Sequence, residues 1–215
     1  MGADLPEEIG NLYAWGEVSP KADYTWNNYT WCTYRFWAGG DDYDWSSETH
    51  ITKYGSSYSN SNYVGGYGEE LDDYYWVNDG KTVLDLEDDA ARVEWRGTWR
   101  MPTQAECQEL IDNCTIEKVK YNNCDGYLFT CTKTGYTDKK LFFPIAPSQY
   151  SDVFRGREIF DDGHGNGQYS GLFWSSSQYL PFPACAYALR SQYPYTNYTF
   201  GPMPRQMGFP VRPVK

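Results

Sequence analysis

The stretch from Gly171 to Val214 constrains this chain most, because its composition suits neither a helix nor a plain buried strand. Two apolar segments, Leu172 to Trp174 and Gly208 to Arg212, bracket an interval crowded with Tyr, Pro, Gln and Asn. Pro and Gly turn the chain at a surface, whereas Tyr and Phe rings need burial or a partner. We therefore predict that the preceding chain is a frame and that this stretch is what the frame displays.

The charge of the chain narrows the class of partner. Its 215 residues include 18 Lys and Arg against 29 Asp and Glu, which gives a formal net charge of -11. This charge repels a phosphate backbone and an anionic membrane surface, and no cluster of Lys or Arg offsets it locally. No nucleic-acid partner is therefore predicted.

Hydropathy argues against a membrane span. No stretch approaches the roughly 18 consecutive apolar residues that a spanning helix needs, so direct membrane insertion is not predicted. Residues 1–6 also lack the basic and apolar regions of a signal peptide. Either the protein works without crossing a membrane, or an exported form has a leader that this sequence does not include.

Aromatic residues make up 19% of the chain, far more than disordered segments carry, which favours one folded domain over 1–215.

Two helices are predicted from capping patterns. Thr103 and Glu106 form a T-x-x-E capping box, and apolar residues recur behind it at helical spacing, so we predict a helix over 104–113. Asp85 is a candidate N-cap for a shorter helix over 86–93, whose first turn is acidic.

The rest of the chain predicts short strands and long loops. Apolar or alternating runs bounded by turn residues predict strands at 126–133, 139–146, 172–174, 184–190, 195–200 and 208–212. The segments 41–80 and 148–170 are predicted to be long loops, because they are rich in turn-forming residues. Few helices, many short strands and long loops predict the α+β class with an antiparallel sheet.

Six cysteines occur at positions 32, 107, 114, 124, 131 and 185, with no zinc-type spacing, so no zinc site is predicted. If Cys107 and Cys114 lay on one helix, their Cα atoms would be about 10.5 Å apart, beyond the roughly 7 Å reach of a disulfide. Pairing of Cys114 with Cys124, or of either Cys107 or Cys114 with Cys131, stays open. The alternative is free, buried thiols, since cysteine is among the most buried residue types.

Several motifs occur in the order typical of one family. They are Tyr13 to Glu17 (YAWGE), Leu84 to Trp95 (LDLEDDAARVEW), Trp95 to Thr103 (WRGTWRMPT) with Glu106 after it, Phe173 to Ser176 (FWSS) and Gly208 to Val214 (GFPVRPV). Over nearly its whole length the chain thus resembles the Fibrobacter succinogenes major paralogous domain family, bacterial surface proteins common in gut Bacteroidetes. The resemblance implies a C-type lectin-like fold of the variety seen in formylglycine-generating enzymes. It also implies an extracellular or cell-surface location.

Some members of that family are variable proteins of diversity-generating retroelements of bacteria or their phages, in which reverse transcription rewrites selected codons of the C-terminal lectin segment. Composition predicts an aromatic and loop-rich N-terminal part, 1–82. By position, the resemblance implies a lectin-like core, 83–215, and within it a ligand-display segment, 174–212. The predicted ligand-binding residues are Gln178, Tyr179, Leu180, Phe182, Tyr187, Arg190, Tyr193, Tyr195, Asn197 and Tyr198.

The residues themselves also favour display in this segment. A tyrosine ring with its hydroxyl supplies contact area and a hydrogen bond while only two side-chain torsions are frozen. Neighbouring Pro, Gln, Asn and Ser indicate exposed turns around five of the rings, namely Tyr179, Phe182, Tyr193, Tyr195 and Tyr198. Burial in the core is predicted for Leu172, Trp174, Leu189, Phe209 and Val211.

No metal, cofactor or catalytic residue is predicted. Trp76 to Asp79 echoes the W-N-D element of calcium-dependent lectins, but no E-P-N or Q-P-D partner precedes it. The two histidines, His50 and His164, belong to no catalytic motif. Three residues of a Gly-rich loop suit a solvated turn better than a cation site: Asp161, Asp162 and Asn166.

The predicted function is non-enzymatic binding of a protein or glycan ligand on another cell or host surface. One alternative is a carbohydrate-binding adhesin without diversification, in which Tyr and Trp faces stack on sugar rings. Another is an oxidase of the formylglycine-generating type, which would need two reactive cysteines in the C-terminal part of the fold, where this chain has Cys185 alone. Arg100 and Arg212 are predicted to be framework residues, given the many carboxylates available to them.

Overall fold

The computed structural model describes residues 2–38, 45–55, 63–64, 71–145, 148–150, 153–155, 160–161, 168–193 and 198–215. Within these residues the chain forms two α-helices, thirteen β-strands and a 3-10 turn at Trp26–Asn28. The helices are α1 (Ala90–Trp95) and α2 (Gln104–Asp112). The strands are β1 (Cys32–Ala38), β2 (Trp45–Ile51), β3 (Tyr63–Val64), β4 (Leu71–Trp76), β5 (Cys114–Tyr121), β6 (Cys124–Cys131), β7 (Lys140–Pro144), β8 (Ser148–Tyr150), β9 (Val153–Arg155), β10 (Phe160–Asp161), β11 (Gln168–Gln178), β12 (Cys185–Tyr193) and β13 (Tyr198–Pro204).

The described strands form four small sheets. One has the order β1-β2-β4-β3, and in it β2 and β4 run parallel while the other pairs are antiparallel. The others are antiparallel: β5-β6-β7, the pair β8-β9, and β10-β11-β12-β13. Small, mostly antiparallel sheets with two short helices in the described part of the chain confirm the predicted α+β class.

The capping box at the start of α2 is confirmed. Thr103 Oγ1 accepts the N–H of Glu106 (3.2 Å), and Glu106 Oε2 accepts the N–H of Thr103 (2.8 Å). Arg100 donates to both oxygens of Glu106, at 2.6 and 2.5 Å. Arg212 donates to the carbonyls of Pro6 and Glu8, at 2.8 and 3.1 Å. The prediction that both arginines are framework residues is therefore confirmed.

The predicted start of the first helix is wrong. α1 begins at Ala90 rather than near residue 86, and its N-cap is Asp89, whose carboxylate accepts the N–H of Arg92 (3.1 Å). The carboxylate of Asp85 instead forms ion pairs with Lys53 (3.1 Å) and Lys81. The side chain of Asp85 is thus paired with lysines, and Asp89 caps the helix.

Most strands predicted in the second half of the chain are found. The segments 126–133, 139–146 and 184–190 correspond to β6, β7 and β12, and 195–200 overlaps β13. β11 is longer than predicted, and β5 was not predicted because most of its side chains are exposed. β5 is instead defined by its complete antiparallel register with β6.

The prediction of two long loops is wrong where the structure describes these segments. β2, β3 and β4 lie within 41–80, and β8, β9 and β10 lie within 148–170. β4 mixes acidic residues with aromatic rings, and its parallel partner β2 lies well before it in the chain. Parallel strands are not joined by a tight turn, so the sequence carries no hairpin signal for them.

The last predicted strand, 208–212, is also wrong, since this described segment forms no strand and the chain near it makes isolated bridges to distant residues. Tyr13 bridges Phe209, with backbone hydrogen bonds of 2.9 and 3.1 Å, and Arg100 bridges Val214. The prolines at positions 210 and 213 have no N–H and cannot continue a ladder.

The main core joins the two ends of the chain. The indole of Trp174 donates to the carbonyl of Tyr13, and the indole of Trp15 donates to the carbonyl of Ser175, both at 2.8 Å. The cluster also contains Leu172, Phe209 and Val211, as predicted; its members are Tyr13, Trp15, Tyr54, Leu84, Ala90, Ala91, Met101, Leu172, Trp174, Ala186, Ala188, Met203, Met207, Phe209 and Val211.

A second core lies on the other face of β11 and β12. Phe173 and Leu189, which alternate with the main-core residues along these strands, pack there with rings from β6 and β7, namely Tyr127, Phe129 and Phe143. The middle of the β11–β12 hairpin is therefore buried on both faces, which makes the hairpin a rigid support for the turn at its end.

Candidate functional site

The 179–184 turn joins β11 to β12 and projects from this buried hairpin. Its backbone hydrogen bonds run from Tyr179 N–H to Cys185 O (3.2 Å), from Phe182 N–H to Tyr179 O (3.1 Å), and from Cys185 N–H to Phe182 O (2.9 Å). Two prolines within the turn cannot donate, so the strand ladder ends here. Leu180 is 40% exposed, although the hairpin behind it is buried.

Tyr179 and Phe182 flank the exposed leucine in the chain, and the ring of each is paired with another ring. The rings of Tyr179 and Tyr187 meet edge to face, with centroids 5.2 Å apart. The rings of Phe182 and Trp76 meet in the same way, at 6.2 Å. Edge-to-face contact is a preferred geometry for aromatic pairs. We refer to Trp76, Tyr179, Leu180, Phe182 and Tyr187 as the aromatic patch.

Tyr187 supplies the patch with a neutral phenol. Burial, and then the neighbouring Tyr179, raise the pKa of Tyr187. Its hydroxyl therefore stays protonated at physiological pH and can donate as well as accept a hydrogen bond. The patch thus combines apolar ring area with a phenol that keeps its proton.

The N-terminal sheet contributes to this region, which sequence reasoning missed. Trp76 ends β4, and the residue before it, Tyr75, stacks on His50 of β2 with centroids 4.6 Å apart. The parallel register places these two residues opposite each other, and His50 Nε2 lies 3.2 Å from Glu48 Oε2. A run of three aromatic residues at the end of β4 is typical of a strand, and it was the one available signal.

Trp76 owes its place near the turn to a tight contact between two backbone segments. A Cβ added to Gly55 would lie 1.4 Å from the carbonyl oxygen of Val77, so only glycine permits this approach. The carboxylate of Asp79 accepts the N–H groups of Tyr54 (2.7 Å) and Gly55 (3.0 Å). Residues 53–55 are thereby fastened to the segment that follows Trp76.

A buried arginine ties the same segment to the C-terminal part of the chain. Arg205 is fully buried and donates to the carbonyls of Lys53 (2.9 Å) and Tyr54 (2.5 Å). Its guanidinium lies 4.5 Å from the ring centre of Trp15. Burial lowers the pKa of Arg205, but carbonyl oxygens and the aromatic face offset part of the cost of burying the charge.

Two of the predicted ligand-binding residues do not join the aromatic patch. Gln178 is 2% exposed and pairs with Ala186 of the main core, so burial removes it from direct contact with a ligand. Arg190 lies on the face of β12 opposite Tyr187, because side chains alternate along a strand. Its guanidinium packs over Gly201 instead.

The structure does not describe the side chains of the remaining predicted ligand-binding residues. Tyr193 ends β12 and Tyr198 begins β13, and their side chains lie outside the described residues. Tyr195 and Asn197 lie wholly outside them. Four of the predicted residues, Tyr179, Leu180, Phe182 and Tyr187, are therefore brought together by the described structure.

The candidate metal ligands have other roles or are not described. Asp79, from the W-N-D echo, uses both carboxylate oxygens on backbone N–H groups. Within the described ranges no three His, Cys, Asp or Glu side chains converge as a metal site requires. Asp162, His164 and Asn166 lie outside the described residues, and Asp161 is described only as part of β10.

Comparison of the chain with protein-family models, with curated proteins and with solved structures found no match. In the part of the chain that the structure describes, neither helix has the length and apolar character needed to cross a membrane.

Proposed function

We propose that this chain is a non-enzymatic ligand-binding protein that presents the aromatic patch to a protein or glycan on another cell or host surface. The observation that carries the proposal is the exposure of Leu180 between two ring pairs, on a hairpin that is buried on both faces. Binding residues are commonly found on loops that a rigid scaffold positions.

The chemistry of the patch suits a mixed apolar and polar ligand. Ring edges and an exposed leucine favour apolar contact, while phenolic hydroxyls favour hydrogen bonding to hydroxyl or carbonyl groups. Rigid aromatic side chains lose little conformational entropy on binding, which is why they dominate binding hot spots. The net charge of -11 favours a ligand that is not strongly negative.

The C-type lectin-like fold and the diversification of the display segment belong to this proposal. Support comes from the motifs that suggested the family, since their residues hold the frame together: Trp174 and Phe209 lie in the main core, and Arg100 bonds to Glu106. In this proposal the frame stays constant while codons of the 179–184 turn and of β12 vary. A cell-surface location belongs to the same proposal.

Diversification has a genomic test. We expect a reverse-transcriptase gene near the coding sequence, and a template repeat that matches the codons of residues 174–214 except at adenines. If both are absent, the diversification part fails, while ligand binding by the patch can still be tested on the protein.

The alternative of an oxidase of the formylglycine-generating type receives less support. Cys185 is buried, and burial raises the pKa of its thiol to about 12. Thiol chemistry needs the thiolate, which such a pKa disfavours. We therefore keep binding as the proposed function.

The binding test compares two triple variants of matched composition. The site variant is Tyr179→Ser, Leu180→Ser and Tyr187→Ser; the control is Tyr121→Ser, Tyr136→Ser and Leu141→Ser, which removes two exposed tyrosines and one exposed leucine elsewhere. Both are probed, with the wild type, on a glycan array with and without calcium and on an array of extracellular proteins.

We expect the wild type and the control to bind the same ligand, and the site variant to bind it at least about tenfold more weakly, equivalent to about 1.4 kcal/mol. Equal binding by both variants would move the site elsewhere. Absence of binding on both arrays would count against the proposed function itself.

A further inference from the structure

Two cysteines face each other across the β5–β6 hairpin. In the antiparallel register Cys114 is directly opposite Cys131. The other strand cysteines face different residues: Cys32 faces Ile51, Cys124 faces Tyr121, and Cys185 faces Pro204.

The hydrogen-bonding pattern places Cys114 and Cys131 at a non-hydrogen-bonded position of the ladder. The N–H of Cys131 points to the other side, where it donates to the carbonyl of Lys139 (3.0 Å). The next pair along is bonded, since Thr132 N–H donates to Asn113 O (2.8 Å). Opposed residues at a non-hydrogen-bonded position have Cα atoms about 4.5 Å apart, and disulfides span about 4.4–6.8 Å. A disulfide between the two cysteines therefore fits this register of the backbone.

Both thiols are accessible to small reagents. Cys114 and Cys131 are half-buried and line an open cavity of about 340 Å³ together with Leu110, Phe129 and Lys133. Burial, and then the adjacent Cys131 thiol, raise the pKa of Cys114, which agrees with direct contact between the sulfurs. Cys107, Cys124 and Cys185 are buried by comparison.

We infer that Cys114 and Cys131 form an intramolecular disulfide when the protein meets a disulfide oxidant such as oxidised glutathione. One protein thiolate attacks the glutathione disulfide and releases one glutathione thiolate. The second protein thiolate then displaces the bound glutathione, so two protein thiols lose two electrons and two protons while one oxidised glutathione becomes two reduced molecules. This inference goes beyond the proposed function and does not depend on it.

The disulfide would strengthen the junction between α2 and the three-stranded sheet. Asn113 caps α2 and accepts both the N–H and the hydroxyl of Thr132, and Lys133 pairs with Glu109 of α2 at 2.9 Å. A covalent bond beside these contacts closes a ring through the whole β5–β6 hairpin and restricts the unfolded chain.

The test uses the full, reduced chain incubated with oxidised glutathione, then unfolded in urea and blocked with N-ethylmaleimide, so that the buried thiols are labelled too. Digestion without reductant and mass spectrometry are expected to show a peptide that links Cys114 to Cys131, with these two of the six thiols protected from the label. Labelling of all six thiols, a link between any other pair, or a persistent glutathione adduct would overturn the inference.

The second measurement is the Tm of the wild type before and after oxidation, which does not require any variant to fold. Oxidation is expected to raise the Tm of the wild type by about 5 °C. The disulfide closes a ring through the β5–β6 hairpin and so lowers the conformational entropy of the unfolded chain. Cys114→Ser is expected to abolish both the link and the shift, whereas Cys32→Ser, at a half-buried cysteine without a facing thiol, retains both. An unchanged wild-type Tm with the link present would mean that the bond forms without stabilising the junction, and that part of the inference would fail.

Discussion

Two aromatic regions of this protein have similar composition and different exposure: the fully buried main core around Trp15, Trp174 and Phe209, and the half-buried aromatic patch at the 179–184 turn. In the core each indole N–H donates to a backbone carbonyl of a distant segment, and the rings are fully buried. In the patch the rings pack in pairs beside an exposed leucine. Aromatic content alone therefore does not separate the frame from the display surface; burial by segments distant in the chain does.

The largest expected effect comes from removing a core ring. Trp174→Ala should lower the free energy of unfolding by about 3–5 kcal/mol, because it leaves a cavity and breaks the bond to the Tyr13 carbonyl. The same change at Trp95, which is 41% exposed, is the matched control and should cost about 1 kcal/mol or less. Urea unfolding measures both. Similar losses would break the distinction between anchored and exposed rings.

The next effect tests the buried arginine of the frame. Arg205→Met should lower the free energy of unfolding by about 2 kcal/mol, since two buried carbonyls lose their donor while the cost of burying the charge is also removed. Arg190→Met, in β12 and only half-buried, should cost less. Thermal and urea unfolding of the two variants decide this, and an Arg205 variant as stable as the wild type would contradict the proposed anchor.

A third prediction concerns pH. Hydrogen bonds from Arg100 lower the pKa of Glu106 from 4.5 to about 2 in the folded protein. A lowered pKa means that this stabilisation is present above about pH 4.5 and is lost as the pH falls towards 2. The side chain of Glu106 is 38% exposed, so solvent screening reduces the contribution to about 1 kcal/mol.

Glu106→Gln should therefore be about 1 kcal/mol less stable than the wild type at pH 7, and the gap should close as the pH falls from 4.5 towards 2. Urea unfolding across this range measures the gap. Glu109→Gln removes a more exposed ion pair and serves as the control, with a small difference at every pH. A constant gap for Glu106→Gln would show that shape, not charge, is what the capping box needs.

The smallest effect on stability is expected in the patch. Leu180→Ser should change the free energy of unfolding by no more than about 0.5 kcal/mol, because the side chain is exposed at a turn. The same change should weaken ligand binding measurably in the array experiment. A large loss of stability would mean that Leu180 belongs to the frame, and the patch would then not differ from the main core in its contribution to stability.

Local signals in the sequence predicted local structure well. The T-x-x-E pattern gave α2 with both bonds of its capping box, and the turn residues between 133 and 139 separated β6 from β7. Signals that depend on a distant partner failed. Asp85 was predicted as the cap of α1 but pairs with Lys53 and Lys81 instead, and β4 was missed because its partner β2 is parallel to it.

The candidate site was predictable only in part for the same reason. The turn with Tyr179, Leu180 and Phe182 follows from composition, because Pro and aromatic residues near one another indicate an exposed turn. The burial of Gln178 and the orientation of Arg190 do not follow from composition, because they depend on the pairing register of β11 and β12.

The sequence by itself determined the α+β structural class, the N-cap of α2, the acidic net charge and the turn at the end of the β11–β12 hairpin. Those properties depend on the identity of neighbouring residues, which a linear chain records completely. The tertiary structure alone decided that Trp76 of the N-terminal sheet joins the patch and that Cys114 meets Cys131. Such contacts depend on which strands pair and in which register, and many alternative pairings are compatible with the same local preferences until the core is packed.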